Sequence, residues 1–370
     1  TWMTDTVASV TPYIIPAEPI TDQWWAHKAY VLVRVETQDG IVGWGECHLL
    51  TFREDAMVAL LNRLAEWIIG RPAHDIRAFL RDAFGKFGQQ RPGVGVYSAF
   101  AGIEIALWDI LGKRLGVPIH RLLGGTCHET LPVYANIYTP NTHPPAAYGD
   151  IAARICAQGH TRIKLYPFTA DTTVDEGVAI LQAVADAVSP DVGLAVDLWR
   201  HATPARALML ARAMEPFNLL WIEDPFAPND AASMRYLRDA IEQPLLTGET
   251  LPTRREFTDL FERRAVDIIN PDICLSGILE IQVIAAMAEP AHITVSPHNS
   301  NSMALGTSAA IHASAGIPNL SPVEYFPLFE TALDDVCTGR PHIEGGEVSI
   351  PDTPGLGVIF DDDAMAAFRV

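Results

Sequence analysis

Six ionisable residues punctuate the chain at nearly equal intervals: Asp197, Glu223, Glu249, Asp272, His298 and Glu324 are separated by 26, 26, 23, 26 and 26 residues. Each stands at or near the end of a short run rich in apolar and β-branched residues. Eight such runs occur: LPVYANIY (131–138), TRIKLYP (161–167), VGLAVDLW (192–199), LLWIEDP (219–225), PLLTGET (244–250), VDIINPD (266–272), HITVSPH (292–298) and LSPVEYF (320–326). Between them lie segments such as VDEGVAILQAVADAV and AASMRYLRDAI, whose apolar residues recur at helical spacing. Strands alternating with helices up to eight strands predict an α/β fold with a (β/α)8-type barrel. A doubly wound sheet is the competing arrangement. It needs a glycine-rich phosphate loop after its first strand, where Thr-Pro-Asn-Thr-His follows instead.

At 370 residues the chain exceeds what one hydrophobic core usually covers, so a second unit is expected. It lies ahead of the barrel. VLVRVET, the turn Gln38-Asp39-Gly40 and IVGWGE read as a hairpin. MVALLNRLAEWIIG and AFAGIEIALWDILGKRLG then carry helical periodicity and stop at Gly70 and Gly116. Residues 1–125 therefore read as an α+β domain and 126–340 as the barrel.

A composition of 49% hydrophobic and 19% charged residues suits a globular chain with a large core. The net charge of −19 would repel a phosphate backbone, which argues against nucleic-acid binding. No run of about 18 apolar residues predicts a membrane span, and no secretory layout is visible. The five scattered cysteines, Cys47, Cys127, Cys156, Cys274 and Cys337, read as reduced thiols of a cytoplasmic protein.

In such barrels chemistry gathers at the C-terminal ends of the strands. Lys164 and Tyr166, two residues apart, point to one side of the second strand. Asp197, Glu223 and Glu249 come from three consecutive strands. Three carboxylates aimed at one spot repel unless a cation sits between them, and hard oxygen donors suit Mg²⁺, with Mn²⁺ second. Asp272 and His298 end adjacent strands and read as a general acid/base dyad. Glu324, if burial keeps it protonated, could donate a hydrogen bond to a substrate carboxylate. The set suits removal of a proton from the carbon next to a carboxylate, with the metal and Lys164 binding that carboxylate and the enediolate that forms.

These motifs, in this order, resemble the enolase superfamily, in the branch named for mandelate racemase and muconate lactonizing enzyme. GIVGWGE and SAFAGIEIALWDILGKRLGVPIHRLLGG are similar to its capping domain, and AVDLW, WIEDP, TGET, NPD, SPHNS and VEYF to its barrel. The resemblance implies a modified TIM barrel with Mg²⁺ on Asp197, Glu223 and Glu249, and a racemase-type dyad at Asp272 and His298. It implies that residues before Tyr30 and around His48–Arg53 close over the substrate. Trp24, Trp25, His27, His48 and Arg53 are the substrate-binding candidates there, with Trp199 and Asn299 from the barrel. Residues 341–370 would return to the capping domain. The resemblance also implies an even-numbered homo-oligomer, from dimer to octamer.

Two positions depart from the pattern. The branch usually carries Lys-x-Lys where this chain has Lys164-Leu165-Tyr166, and often Asn where it has Trp199. Lys164⁺ and the metal are expected to lower the Tyr166 pKa, so that the phenol could still exchange protons. The leading expectation is dehydration of a sugar acid. Either His298 serves as both base and acid, or Tyr166 is the base. Cycloisomerisation of a lactone or anhydrosugar acid, or epimerisation, is the alternative; a catalytically silent sugar-acid-binding barrel is a more distant one.

Overall fold

The computed structural model describes residues 5–17, 28–48, 52–90, 92–137, 144–299, 301–329, 331 and 333–370. Strands β1 (Val7–Pro16), β2 (Ala29–Thr37) and β3 (Val42–Cys47) form an antiparallel sheet in that order. Val31, Val33 and Val35 alternate onto its covered face, as period-two patterning requires. Helices α1 (Glu54–Ile68), α2 (Ile76–Phe87) and α3 (Val94–Leu115) follow, then the single turn α4 (Ile119–Leu122). Gly70 and Gly116 both hold positive φ just beyond α1 and α3, as their sequence positions predict. Helix α3 lies almost on the backbone of β3. A Cβ at Gly45 would fall 1.8 Å from the Gly102 carbonyl oxygen, so only glycine permits the approach. By length and composition α3 could cross a membrane, but it is mostly buried as the central helix of this domain.

All eight predicted runs become strands: β4 (Thr130–Ile137), β5 (Arg162–Leu165), β6 (Gly193–Asp197), β7 (Ile222–Glu223), β8 (Leu245–Thr247), β9 (Ile268–Ile269), β10 (Thr294–Val295) and β11 (Val323–Tyr325). They pair in parallel in sequence order from β4 to β10, and β11 pairs with β4. Val295 N to Asn319 O (2.9 Å) and Ser321 N to Val295 O (2.7 Å) join β10 to the approach to β11 and close the barrel.

The crossovers are α5 (Pro145–Ala157), α6 (Val174–Ala187), α7 (Pro204–Met214), α8 (Ala231–Arg238), α9 (Arg254–Arg263), the pair α10 (Ile273–Ser276) and α11 (Ile278–Ala288), and α12 (Ala304–Ser314). Local chemistry starts several of them. Thr173 and Glu176 make a reciprocal capping box on α6, and Thr203 caps α7 with Pro204 behind it.

After β11 the described residues contain no eighth crossover helix. Short strands β12 (Cys337–Thr338), β13 (Ile343–Glu344), β14 (Glu347–Ser349) and β15 (Ile359–Phe360) and the turn α13 (Asp362–Met365) complete the chain. β14 adds antiparallel to the start of β4. The segment then meets the first domain: Leu356 N donates to Asp109 Oδ1 (2.9 Å), and Phe360 packs on Trp44 with ring centroids 4.5 Å apart.

Candidate active site

Parallel strands deliver their C-terminal residues to one mouth. Asp197 ends β6, Glu223 ends β7, and Glu249 lies two residues beyond β8. Each offers one oxygen, and the three oxygens lie within 4.8 Å of one another. Burial, then mutual repulsion, pushes the Asp197 and Glu223 carboxyls above the ordinary range, although Lys164 opposes it. Glu249 goes the other way: against its burial, His298 and Arg200 hold it ionised. Three convergent hard oxygen donors, Asp197 and Glu223 buried and Glu249 nearly so, carry an excess of negative charge that fits a divalent cation, which would hold all three ionised.

Lys164 is fully buried on β5. Its Nζ lies 2.8 Å from Glu223 Oε2, 2.9 Å from Glu324 Oε1 and 3.7 Å from Asp197 Oδ2. Burial alone would lower its pKa, but Glu223 and Glu324 hold it well above the ordinary value. On the other side stands the dyad. Asp272 and His298 are paired as a parallel bridge, with Asp272 Oδ2 2.7 Å from His298 Nδ1. Nε2 faces the carboxylates, 2.9 Å from Glu249 Oε2 and 3.3 Å from Glu324 Oε2, so both ring nitrogens are donors here, and against its burial Glu324, Glu249 and Asp272 hold the imidazole well above its ordinary pKa. His48, at the end of β3, reaches Asp272 Oδ2 from the capping domain at 3.3 Å.

One expectation changes. Glu324 is not kept protonated by burial. His298 and Lys164 outweigh the burial and lower its pKa, and it accepts from Lys164, from Asn136 Nδ2 (2.8 Å) and from Asn299 N (2.8 Å). For Tyr166, where the expectation counted the metal as well as Lys164, the protein's own groups do not lower the phenol. Burial raises its pKa well above 10, Asp197, Glu324 and Glu223 add to that, and Lys164 alone does not offset them. The phenol donates to Asn136 Oδ1 at 2.7 Å.

The other candidates divide. Trp25 and His27, with Trp24, lie outside the described residues. Arg53 is exposed at the start of α1. Trp199 is 42% exposed at the rim, with its N–H donating to Asp197 Oδ1 (2.7 Å) and its ring edge-on to His201. Asn299 is buried; its amide bonds Thr307 Oγ1 (2.8 Å) while its backbone holds Glu324.

Sequence reasoning missed four participants. Arg200 bonds Asp224 Oδ2 and, at 2.7 Å, Glu249 Oε1. Asp224 accepts from Thr247 as well. Asn270 Nδ2 donates to Glu223 Oε1 at 3.0 Å, and Asn136 joins Tyr166 to Glu324. Asn136 and Asn270 were findable as the polar residues closing LPVYANIY and VDIINPD. Arg200 carried no such signal, because Trp199 and Arg200 take left-handed φ values of 41° and 64° that turn the chain back over the site.

Comparison with known proteins agrees with this geometry. Residues 6–124 match the family described as "Mandelate racemase / muconate lactonizing enzyme, N-terminal domain", and residues 147–364 match "Enolase C-terminal domain-like". The chain is 30% identical to D-xylonate dehydratase from Haloferax volcanii, over 92% of this chain and 85% of that protein. It is 32% identical to D-galactarolactone cycloisomerase from Agrobacterium fabrum, over 93% and 92%. The crystal structure of 3,6-anhydro-D-galactonate cycloisomerase from Zobellia galactanivorans superposes with a TM-score of 0.88 at 25% identity, covering 99% of both chains.

Proposed function

Because the chain belongs to the enolase superfamily, in its mandelate racemase/muconate lactonizing enzyme-like branch, we propose that it is a sugar-acid dehydratase, a carbon–oxygen lyase using a divalent metal, Mg²⁺ before Mn²⁺. Asp197, Glu223 and Glu249 are the residues that would hold the ion. Once bound, it supplies positive charge to the carboxylate and enediolate oxygens of the substrate.

Lys164, charged and fixed by Glu223 and Glu324, binds the substrate carboxylate beside that centre. His298 Nε2, aimed by Asp272, takes the α-proton; the C–H electrons pass into the enediolate. Collapse of the enediolate breaks the β C–O bond, and His298 returns its proton to the departing hydroxyl, which leaves as water. The enol product then tautomerises to a 2-keto-3-deoxy acid. Asp272 keeps the imidazole in one tautomer throughout and stabilises its charged form.

The observation that carries this reading is the 2.7 Å contact of Asp272 with His298 Nδ1, which aims Nε2 at the mouth where Asp197, Glu223 and Glu249 converge; with Glu249 engaged by the ion instead, Nε2 would be free to accept the α-proton. Tyr166 fits beside it as a protonated hydrogen-bond donor, not as a second base. The dehydratase relatives for xylonate and gluconate support elimination. Cycloisomerisation is the second reading, favoured by the galactarolactone relative and the anhydrogalactonate neighbour, and it needs only a ring oxygen as the leaving group. A cytoplasmic homo-oligomer is the setting this reading carries with it.

The test is turnover of a set of aldonic and aldaric acids with Mg²⁺, read by NMR of the products. A 2-keto-3-deoxy acid from at least one member is expected. An isomer of unchanged mass would select the second reading, and no conversion of any acid or lactone would overturn both.

A further inference from the structure

The three strands that supply the acidic trio also supply a second set of side chains. Arg200 follows Asp197 on the turn after β6, Asp224 follows Glu223 at the end of β7, and Thr247 is the last residue of β8, before Glu249. They meet on one carboxylate. Asp224 is fully buried; its Oδ1 accepts from Thr247 Oγ1 and its Oδ2 from Arg200 Nη1. The same Nη1 reaches Glu249 Oε1 at 2.7 Å. The backbone repeats the connection: Leu198 N donates to Glu223 O (2.9 Å), Arg200 N to Asp224 O (2.7 Å) and Asp224 N to Leu246 O (2.9 Å).

The local backbone shows that this placement is imposed. Trp199, Arg200 and Asp224 take left-handed φ values of 41°, 64° and 43°, and none is glycine. Side chains hold that region only where their surroundings over-determine it. Among the described residues the only ion pair of Asp224 is with Arg200. A buried carboxylate that loses its one cation is strongly disfavoured, so Arg200 is held in place. Glu249 depends on that. Strand pairing ends before it, at Thr247, so the ladder alone does not set its carboxylate. Arg200 fixes Oε1, while Oε2 faces His298 Nε2 at 2.9 Å.

We propose that Arg200, Asp224 and Thr247 are positioning residues: a clamp that ties the ends of β6, β7 and β8 together and sets Glu249 relative to Asp197 and Glu223, so that the trio is preformed for Mg²⁺ over Ca²⁺. Mg²⁺ demands near-octahedral placement of its ligands, whereas the larger Ca²⁺ tolerates varied geometry, so a rigid trio favours the smaller ion. This rests on the metal reading of the trio and is independent of the reaction.

The experiment is calorimetric titration of the full chain with Mg²⁺ and with Ca²⁺, without substrate. It compares wild type with Thr247→Val, Arg200→Lys and the double variant. Both single changes preserve the charge of the site. Each should weaken Mg²⁺ binding by roughly 10- to 100-fold, the usual effect of removing a partner of a metal ligand, and Ca²⁺ binding by much less. Because both act through Asp224, the double variant should lose less than the product of the two single losses. Arg200→Met separates the clamp from simple charge. If Arg200 served only as a cation, its removal would tighten both ions while Thr247→Val and Arg200→Lys left them unchanged, and that result would overturn the proposal. Equal losses of Mg²⁺ and Ca²⁺ in both charge-preserving variants would also overturn it, since they mark general loosening. Melting of the ion-free variants identifies one that fails to fold, and the other then decides. A wild-type protein that binds neither ion refutes the clamp and the metal reading together. Ion binding without turnover of any acid counts against the dehydratase reading alone and leaves the clamp standing.

Discussion

Lys164 Nζ touches Glu223, Glu324 and Asp197, and Arg200 bridges Asp224 and Glu249. With His298, which contacts Glu249, Glu324 and Asp272, three cations thus stand against six carboxyl groups, and burial still holds Asp197, Glu223 and Asp224 above their ordinary pKa values. That imbalance predicts that a divalent ion stabilises the protein. At about 100 times its dissociation constant, Mg²⁺ should stabilise the fold by about 2.7 kcal/mol, seen as a raised melting temperature that excess chelator reverses. Asp197→Asn should lose most of the shift; an unchanged melting temperature in the wild-type protein would count against the trio as the metal site. At this scale the sequence was informative wherever a residue ended a strand. The period of about 26 residues marked the trio, the dyad and Glu324. It could not report sign or state: that Tyr166 is raised and Glu324 ionised follows from burial and from neighbours on other strands, which no local pattern encodes.

The short element α10 shows how helix ends hold the site. Asp272 caps α10 by accepting from Leu275 N at 2.8 Å while its other oxygen orients His298. Gly277, at φ 83°, then starts α11, and the Ile278 and Leu279 N–H groups both reach the Glu104 carboxylate of α3 at 2.9 Å. A Cβ at Gly277 would fall 2.7 Å from Glu104 Oε2, so glycine is required twice over. Burial pushes the Glu104 carboxyl up to about 7, although the two N–H groups and Trp108 oppose it. Its folded-state pKa therefore exceeds the unfolded value, and between about pH 4.5 and about 7 the folded protein binds more protons. This group's contribution is most favourable below that window, falls as pH rises through it, and is constant above. Urea unfolding of Glu104→Gln between pH 5 and 8 should show a shallower decline than the wild-type protein; identical slopes would assign the dependence to other groups. Glu104→Ala should cost about 2–4 kcal/mol, by leaving two buried N–H donors unpaired. The runs read from sequence overstated strand length, as with LLWIEDP, of which only Ile222–Glu223 is strand. The surplus is the loop that carries the chemistry.

The whole molecule is a barrel whose mouth is met by a second domain and stitched by the chain's last segment. Asp109 of α3 accepts from Trp44 N in β3, from Lys113 and from Leu356 N, so three parts of the sequence meet on one carboxylate. The barrel was legible because parallel strands leave a repeating pattern. The absence of an eighth crossover helix among the described residues was not, and the return of the last segment was expected only from the family resemblance, since short strands such as β12 and β15 form only against distant partners. His48 reaches Asp272 of the dyad from the capping domain at 3.3 Å, so the first domain touches the proton-transfer pair of the barrel. The central claim is that His298, held by Asp272, moves the α-proton of a sugar acid. The most direct measurement is NMR of the Mg²⁺-loaded protein with its turned-over acid in deuterated water, comparing wild type, His298→Asn and Tyr166→Phe. The account predicts loss of the α-proton with the wild-type enzyme, a rate lower by about 10²–10⁴ in His298→Asn, and a much smaller loss in Tyr166→Phe. Undiminished α-proton loss in His298→Asn, with abolition in Tyr166→Phe, would contradict it.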